Sequence, residues 1–114
     1  MREIEFRGRW KDTNKVIPNF SADYTIEQCN LDTIFVEQYT GLKDKNGVKI
    51  FEGDILKVIC KETRKKLSIC EVGFEYGNFA CGNELLSGLV YEGYDTAVEG
   101  IGNIHDNPEL LEAG

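Results

Sequence analysis

The sequence predicts an all-β fold, a small barrel or roll built from short antiparallel strands. Apolar and polar residues alternate with the period of two that a half-buried strand requires, and turn-forming residues separate the alternating segments. No window of the sequence has apolar residues at helical spacing over the length of a long helix. Strands this short must close on themselves or pack together to protect their edges.

The first strand shows the alternation most clearly. Within residues 3–10, Ile4, Phe6 and Trp10 fall on one face and the charged residues fall on the other, while Gly8 suits a bulge. The further segments with strand character, in chain order, are 15–20, 33–39, 48–51, 55–60, 67–76, 79–81 and 97–104.

Turn-forming residues mark the reversals between these segments. Asn46-Gly47 suits a type I′ turn, because both residues tolerate positive φ. Gly53 lets the chain reverse again, and Gly77-Asn78 predicts a tight turn before 79–81. The residues to which we assign a structural role in turns are Gly41, Asp44, Asn46, Gly47, Gly53 and Asp54.

Three segments lack the strand pattern. Residues 21–31 fit either a loop or a loose strand, and residues 82–96, rich in glycine and acids, are predicted to be a loop. Residues 107–111 predict the start of a helical turn, with Asn107 at the cap and Pro108 at the first helical position.

The aromatic residues divide between a predicted core and a predicted surface. On segment 67–76, Phe74 and Tyr76 share the face of Val72 and are expected in the core. Tyr91 and Tyr94 lie in the glycine-rich acidic segment and are the aromatics expected nearest to solvent.

The four cysteines, at positions 29, 60, 70 and 81, form no C-x-x-C pair, and the chain has one histidine. A structural zinc site usually takes closely spaced pairs of ligands, so no metal or other cofactor is predicted. We expect free thiols that fill apolar space, with Cys60 and Cys70 as reduced cross-strand neighbours.

The chain of 114 residues suits one domain, or one domain with a small extension. Uncharged runs such as 85–91 are too short to span a membrane. Charges run through residues 1–7, where a signal peptide needs apolar residues, so we expect a cytoplasmic location.

Charge is distributed unevenly along the chain, whose net charge is −7. Residues 41–70 carry eight Lys and Arg against four acids, whereas residues 71–114 carry nine acids and no Lys or Arg. The simplest interpretation is that the two regions neutralise each other across the fold. Each region also defines a candidate contact surface.

The acidic region predicts contact with a partner protein, because tyrosine and glycine among acids make an adaptable surface. Its candidate contact residues are Glu84, Tyr91, Glu92, Tyr94, Asp95 and Glu99. The alternative is nucleic-acid binding by the basic segment 43–66, which the negative net charge disfavours. Its candidate residues are Lys43, Lys45, Lys49, Lys61, Arg64, Lys65 and Lys66. Self-association is a further expectation, because edge strands need cover.

The sequence contains no pattern typical of an enzyme. Glu52 and Asp54 could form a catalytic carboxylate pair, but Asp54 fits better as an acceptor of backbone N–H groups in the turn. His105 has no nucleophile elbow near it and is expected on the surface beside the last turn. We therefore expect a protein without enzymatic activity.

Three blocks of the sequence resemble the YopX-like family of small phage and prophage proteins. They are residues 1–7 (MREIEFR), residues 38–55 (QYTGLKDKNGVKIFEGDI) and residues 101–111 (IGNIHDNPELL). Residues 12–33 and 60–96 carry no such resemblance, and Gly100 stands where the pattern favours a β-branched residue.

The resemblance implies an SH3-like barrel over residues 36–114, ending in a short helical turn, with residues 1–35 as an N-terminal β extension packed on it. It also implies a phage or prophage origin, and therefore a location in the cytoplasm of a host bacterial cell and a partner that is a phage or host protein. It implies no established reaction, which agrees with the absence of a catalytic pattern.

Overall fold

A computed structural model of the chain describes residues 5–17 and 34–113. These ranges contain eight strands and two short helices. In chain order they are β1 (Phe6–Trp10), β2 (Ile34–Lys43), β3 (Lys49–Phe51), β4 (Asp54–Cys60), β5 (Lys66–Glu75), β6 (Asn78–Cys81), β7 (Glu84–Leu85), α1 (Leu86–Leu89), β8 (Thr96–Asn103) and α2 (Glu109–Ala113).

The described strands form two antiparallel sheets. One has three strands in the order β1-β2-β3, and the other has five strands in the order β7-β6-β5-β4-β8. This confirms the all-β prediction. The SH3-like form of the barrel stays a prediction. The boundary predicted between 1–35 and 36–114 falls inside β2, which pairs with both β1 and β3.

A cluster of buried apolar side chains covers one face of the five-stranded sheet. On β4, the buried Leu56 and Val58 belong to this cluster, whereas Lys57 and Ile59 are half-buried. The other members are Ile50, Cys70, Val72, Phe79, Cys81, Leu86 and Val98. Since neighbouring residues of a strand point to opposite faces, β4 places Lys57 and Ile59 on the outer face.

The prediction of a loop over 82–96 is wrong for residues 84–89, which form β7 and α1. There β7 pairs with β6, and the single turn of α1 buries Leu86 completely. A two-residue strand and a four-residue helix are too short to leave a periodic signal in the sequence. Of the predicted strand 15–20, the described part holds one isolated bridge, between Val16 and Arg9. The predicted segment 21–31 lies outside the described residues.

The turn between β5 and β6 lies one residue earlier than predicted. Glu75 pairs with Asn78, so Tyr76 and Gly77 form the turn, with φ of 53° and 80°. The expectation of a buried face is wrong beyond Val72. Phe74 is half exposed and Tyr76 is 99% exposed, because β5 continues past the edge of the core.

The prediction that all cysteines are free thiols is wrong. Cys70 and Cys81, on the adjacent strands β5 and β6, form a disulfide within the core cluster. The expected neighbours Cys60 and Cys70 lie apart, since the β4–β5 register places Cys70 opposite Leu56. Cys60 is a free cysteine, and Cys29 lies outside the described residues.

No helix within residues 5–17 and 34–113 has the length and apolar character needed to cross a bilayer.

Candidate interaction surface

The β2–β3 hairpin is held by the carboxylate of Asp44. Its Oδ1 accepts from the backbone N–H groups of Asn46 at 2.9 Å and Val48 at 3.0 Å, and its Oδ2 accepts from the N–H of Gly100 at 3.0 Å. The predicted type I′ turn is wrong, because Gly47 has positive φ (81°) but Asn46 does not. Instead the N–H of Gly47 donates to the carbonyl of Asp44 at 3.0 Å. The buried Asp44 thus fastens the hairpin to β8.

Asp54 stabilises the second reversal. Its Oδ2 accepts from the N–H of Phe51 at 2.8 Å, and its Oδ1 accepts from Arg7 Nη2 at 2.8 Å. Gly53, before it, has φ of 83° and makes backbone hydrogen bonds to Val72 and Ile104. Gly41 also has positive φ, 84°. The contacts of the Asp54 carboxylate therefore stabilise the turn and tie it to β1.

A network of buried polar side chains joins the two sheets, and sequence analysis missed it. Glu37 on β2 accepts from Arg7 Nε at 2.8 Å and from Asn103 Nδ2 at 3.0 Å. Burial lowers the pKa of Arg7, but the ion pairs with Asp54 and Glu37 outweigh burial, so its pKa is raised. The buried Arg9 places its Nε 3.5 Å from the same carboxylate, beyond hydrogen-bonding geometry.

His105 belongs to the edge of this network. It lies beside the last turn, as expected, and its side chain is 21% exposed. Its ring stacks on Phe35 with 3.7 Å between centroids, and its Nε2 lies 3.7 Å from Glu37 Oε2. In the described part of the chain no group of three His, Cys, Asp or Glu side chains is placed to hold a metal ion.

Some of the basic candidates line a groove and a depression beside it, and the others lie elsewhere on the surface. Lys45, Lys61 and Arg64 line a groove of about 490 Å³ on the outer face of β4 and β8, together with Lys57, which sequence analysis did not single out. The other groove residues are Ile59, Ala97 and Glu99. Lys43 lies in an adjoining depression of about 290 Å³ that Lys45, Lys61 and Glu92 also line.

The remaining basic candidates lie away from the groove. Lys49 Nζ pairs with Glu5 Oε1 at 2.7 Å. Lys65 and Lys66 are exposed at the β4–β5 turn and at the start of β5.

The acidic candidates differ in what they contact. Asp95 binds its own chain: Oδ1 accepts from the N–H of Glu62 at 3.1 Å and Oδ2 accepts from the Cys60 thiol at 3.1 Å. Glu99 lies 3.6 Å from Lys45 Nζ and 3.5 Å from Lys57 Nζ.

The other acidic-region candidates are exposed. Tyr91 and Tyr94 are 59% and 60% exposed and pack edge to face, with 5.1 Å between ring centroids. Glu84 and Glu92 are exposed as well. The carbonyl of Glu92 accepts from Lys61 Nζ at 3.1 Å, so the segment 91–95 and the basic groove meet at Lys61. We call the groove together with this segment the groove–loop surface.

The comparisons with known proteins agree with the three sequence blocks. A family model described as YopX protein matches residues 3–112, nearly the whole chain. The chain belongs to the YopX family. No curated protein matches it.

Two solved structures of YopX-like proteins have the same fold. The crystal structure of protein EF1440 from Enterococcus faecalis is 28% identical, with a TM-score of 0.67, and the match covers 97% of this chain and 99% of that one. The structure of protein yopX from Bacillus subtilis is 18% identical, with a TM-score of 0.54 and the same coverage of both chains. At 18% identity the likeness shows the fold alone.

The family match covers both the turn residues and the groove–loop surface. The central block of resemblance, residues 38–55, contains Asp44, Gly53 and Asp54, whose contacts shape the hairpin and the second reversal. The segment 91–95 lies in 60–96, where sequence analysis found no resemblance, although the family match spans these residues too.

Proposed function

We propose that this YopX protein is a non-enzymatic interaction module that binds a partner protein through the groove–loop surface. The observation that carries the proposal is the exposed, edge-to-face pair Tyr91–Tyr94 beside a groove lined by lysine and arginine. Tyrosine and arginine are enriched among the residues that dominate binding energy, and charged residues form the rim of such interfaces.

The tyrosine pair is held in place before any partner binds. Tyr94 N–H donates to the Tyr91 carbonyl at 3.1 Å, and Lys61 N–H donates to the Asp95 carbonyl at 3.0 Å. After the segment, Thr96 Oγ1 donates to the Leu89 carbonyl at 2.9 Å. Because a rigid segment loses little conformational entropy on binding, this pre-organisation favours recognition.

The setting we propose is the cytoplasm of a bacterial cell in which a phage or prophage gene is expressed. The resemblance of the sequence to phage and prophage proteins supports this proposal. The partner would then be a protein of the phage or of the host.

Site-specific photo-crosslinking tests the proposed interface. A benzophenone amino acid replaces Tyr94 in the full-length protein, produced in the host bacterium, and the same amino acid replaces Tyr76 as a matched exposed control. We expect discrete covalent protein adducts on irradiation from position 94, and loss of those adducts when Tyr91→Ala is added. Equal adduct patterns from positions 94 and 76, or none from position 94, would contradict the proposal.

A second candidate function is nucleic-acid binding, favoured by the clustering of Lys45, Lys57, Lys61 and Arg64 in one groove. Phosphate contacts release counterions, so binding would weaken steeply as salt rises. Titrating single- and double-stranded DNA and RNA in about 20 mM salt tests it. Absence of any retained complex at micromolar protein removes this candidate.

A further inference from the structure

The floor and the walls of the basic groove differ in chemistry. Ile59 pairs with Ala97 and Lys57 with Glu99 across β4 and β8, which places these four residues together on the outer face. The hairpin tip contributes Lys45, and the β4–β5 turn contributes Lys61 and Arg64 as walls. The groove therefore has an apolar patch between groups of positive charge.

The cations of the groove are not fully neutralised by the protein itself. Glu99 is shared between Lys45 and Lys57 at 3.6 and 3.5 Å, and these partly exposed pairs are worth at most about 1 kcal/mol each. Among the described residues no ion pair or hydrogen bond engages the Arg64 guanidinium. Arg64 has φ of 60°, a conformation that is uncommon for a residue with a side chain.

The groove suits a short peptide better than a nucleic-acid strand. A phosphate backbone would pass Glu99 in the groove and Glu92 beside it, and the net charge of −7 repels a long polyanion. The apolar patch of Ile59 and Ala97 has no donor or charge to bind a phosphate, but an aliphatic or aromatic side chain can pack on it. A carboxylate on either side would meet Lys or Arg in charge-assisted hydrogen bonds.

We propose that the groove binds an acidic peptide segment of the partner, in which an apolar residue is flanked by Asp or Glu. The apolar side chain packs on Ile59 and Ala97, and the carboxylates bind Lys57, Lys61 and Arg64. This inference rests on the proposed function, because it names the chemistry of the partner that the same groove–loop surface recognises. The adjoining Tyr91–Tyr94 pair covers the part of the partner next to this segment.

Peptide selection on the full-length protein tests this proposal without knowledge of the partner. The probe is a phage-displayed library of random twelve-residue peptides, and the enriched sequences are synthesised with a fluorophore and measured by anisotropy. We expect enriched peptides to carry at least two Asp or Glu around an apolar residue. In the variant Lys57→Gln/Arg64→Gln, the Kd should rise about tenfold or more, as the loss of charge-assisted contacts requires.

The control is Lys65→Gln/Lys66→Gln, which changes net charge equally but lies outside the groove. Its Kd should change by less than about twofold, as expected for charges away from a contact. A third variant, Ile59→Thr, keeps the β-branched shape and should weaken binding through the apolar floor.

Three results would overturn the inference. One is selection without acidic enrichment, the second is equal weakening by the control variant, and the third is tighter binding of a twenty-nucleotide oligo-dT than of any selected peptide. If adducts at position 94 persist while selection fails, only this inference is lost. If those adducts are absent, the proposed function fails with it.

Discussion

At the scale of single residues, glycine is required at position 53 for two reasons, its backbone conformation and the lack of space for a side chain. Its φ of 83° lies in the left-handed region, and a Cβ built on it would lie 2.8 Å from Glu37 Oε2. Gly77 has nearly the same φ, 80°, but a Cβ there would meet nothing within 4 Å. Comparing a substitution at Gly53 with the same substitution at Gly77 therefore separates the free-energy cost of the backbone conformation from the cost of crowding.

We expect Gly53→Ala to destabilise the protein by about 3 kcal/mol, and Gly77→Ala by about 1–2 kcal/mol, since the left-handed region alone costs a Cβ-bearing residue about that much. Urea denaturation of both variants measures the difference. Equal losses would mean that Glu37 moves aside without cost and that crowding at Gly53 is unimportant.

Among the elements, the β2–β3 hairpin depends on one carboxylate. Asp44 accepts three backbone N–H groups, one of them from Gly100 on β8, and the N–H of Lys45 donates to Val98 at 2.9 Å. These contacts place Lys45 at the wall of the groove.

Asp44→Ala should cost about 2–3 kcal/mol, because it leaves backbone donors without their acceptor. Hydrogen exchange should accelerate at the amides of Asn46, Val48 and Gly100 and stay unchanged at β5. The control Asp12→Ala removes an exposed turn carboxylate and should leave exchange at those amides unaltered. Protection that survives in Asp44→Ala would show that the hairpin docks by other contacts.

The β5–β6 hairpin is closed covalently by Cys70 and Cys81, 11 residues apart in sequence. A disulfide that closes a loop of this length stabilises the folded state by about 3 kcal/mol in the chain-entropy description. Reduction should lower the free energy of unfolding by about 2–3 kcal/mol. Comparing urea denaturation with and without reductant measures this loss, and Cys60→Ser, which removes a free thiol, is the control. An unchanged midpoint on reduction would contradict the assignment.

Across the whole molecule, Glu37 connects the three-stranded sheet to the five-stranded sheet. Its carboxylate accepts hydrogen bonds from Arg7 on β1 and from Asn103 on β8, and the residue is almost fully buried. Without the Glu37 charge, Arg7 keeps Asp54 and Arg9 keeps Asp106. Each of these arginines nevertheless loses one of its carboxylate neighbours, which is costly in a buried site.

We expect Glu37→Gln to destabilise the protein by about 3–5 kcal/mol. Glu5→Gln, at the exposed pair with Lys49, should change stability by less than about 1 kcal/mol. Thermal or urea unfolding of both variants gives the comparison. A small effect at Glu37 would show that its buried charge contributes little to holding the two sheets together.

The sequence by itself determined the all-β class, the positions of most strands and the roles of Asp44, Gly53 and Asp54, because strand alternation and turn chemistry are local properties. The short elements at 84–89 escaped prediction, since a few residues leave no periodic signal. The turn before β6 was predicted one residue too late.

Tertiary structure alone decided which distant residues meet. Glu37 with Asn103, Cys70 with Cys81, and Lys57 with Lys45 and Arg64 come together through sheet register and hairpin docking. The charges of the basic and acidic regions were visible in the sequence, but strand register decided that Glu99 lies opposite Lys57. Among the described residues, no ion pair or hydrogen bond engages the Arg64 guanidinium. Such contacts depend on pairing between segments far apart in the chain, which composition and local pattern do not encode.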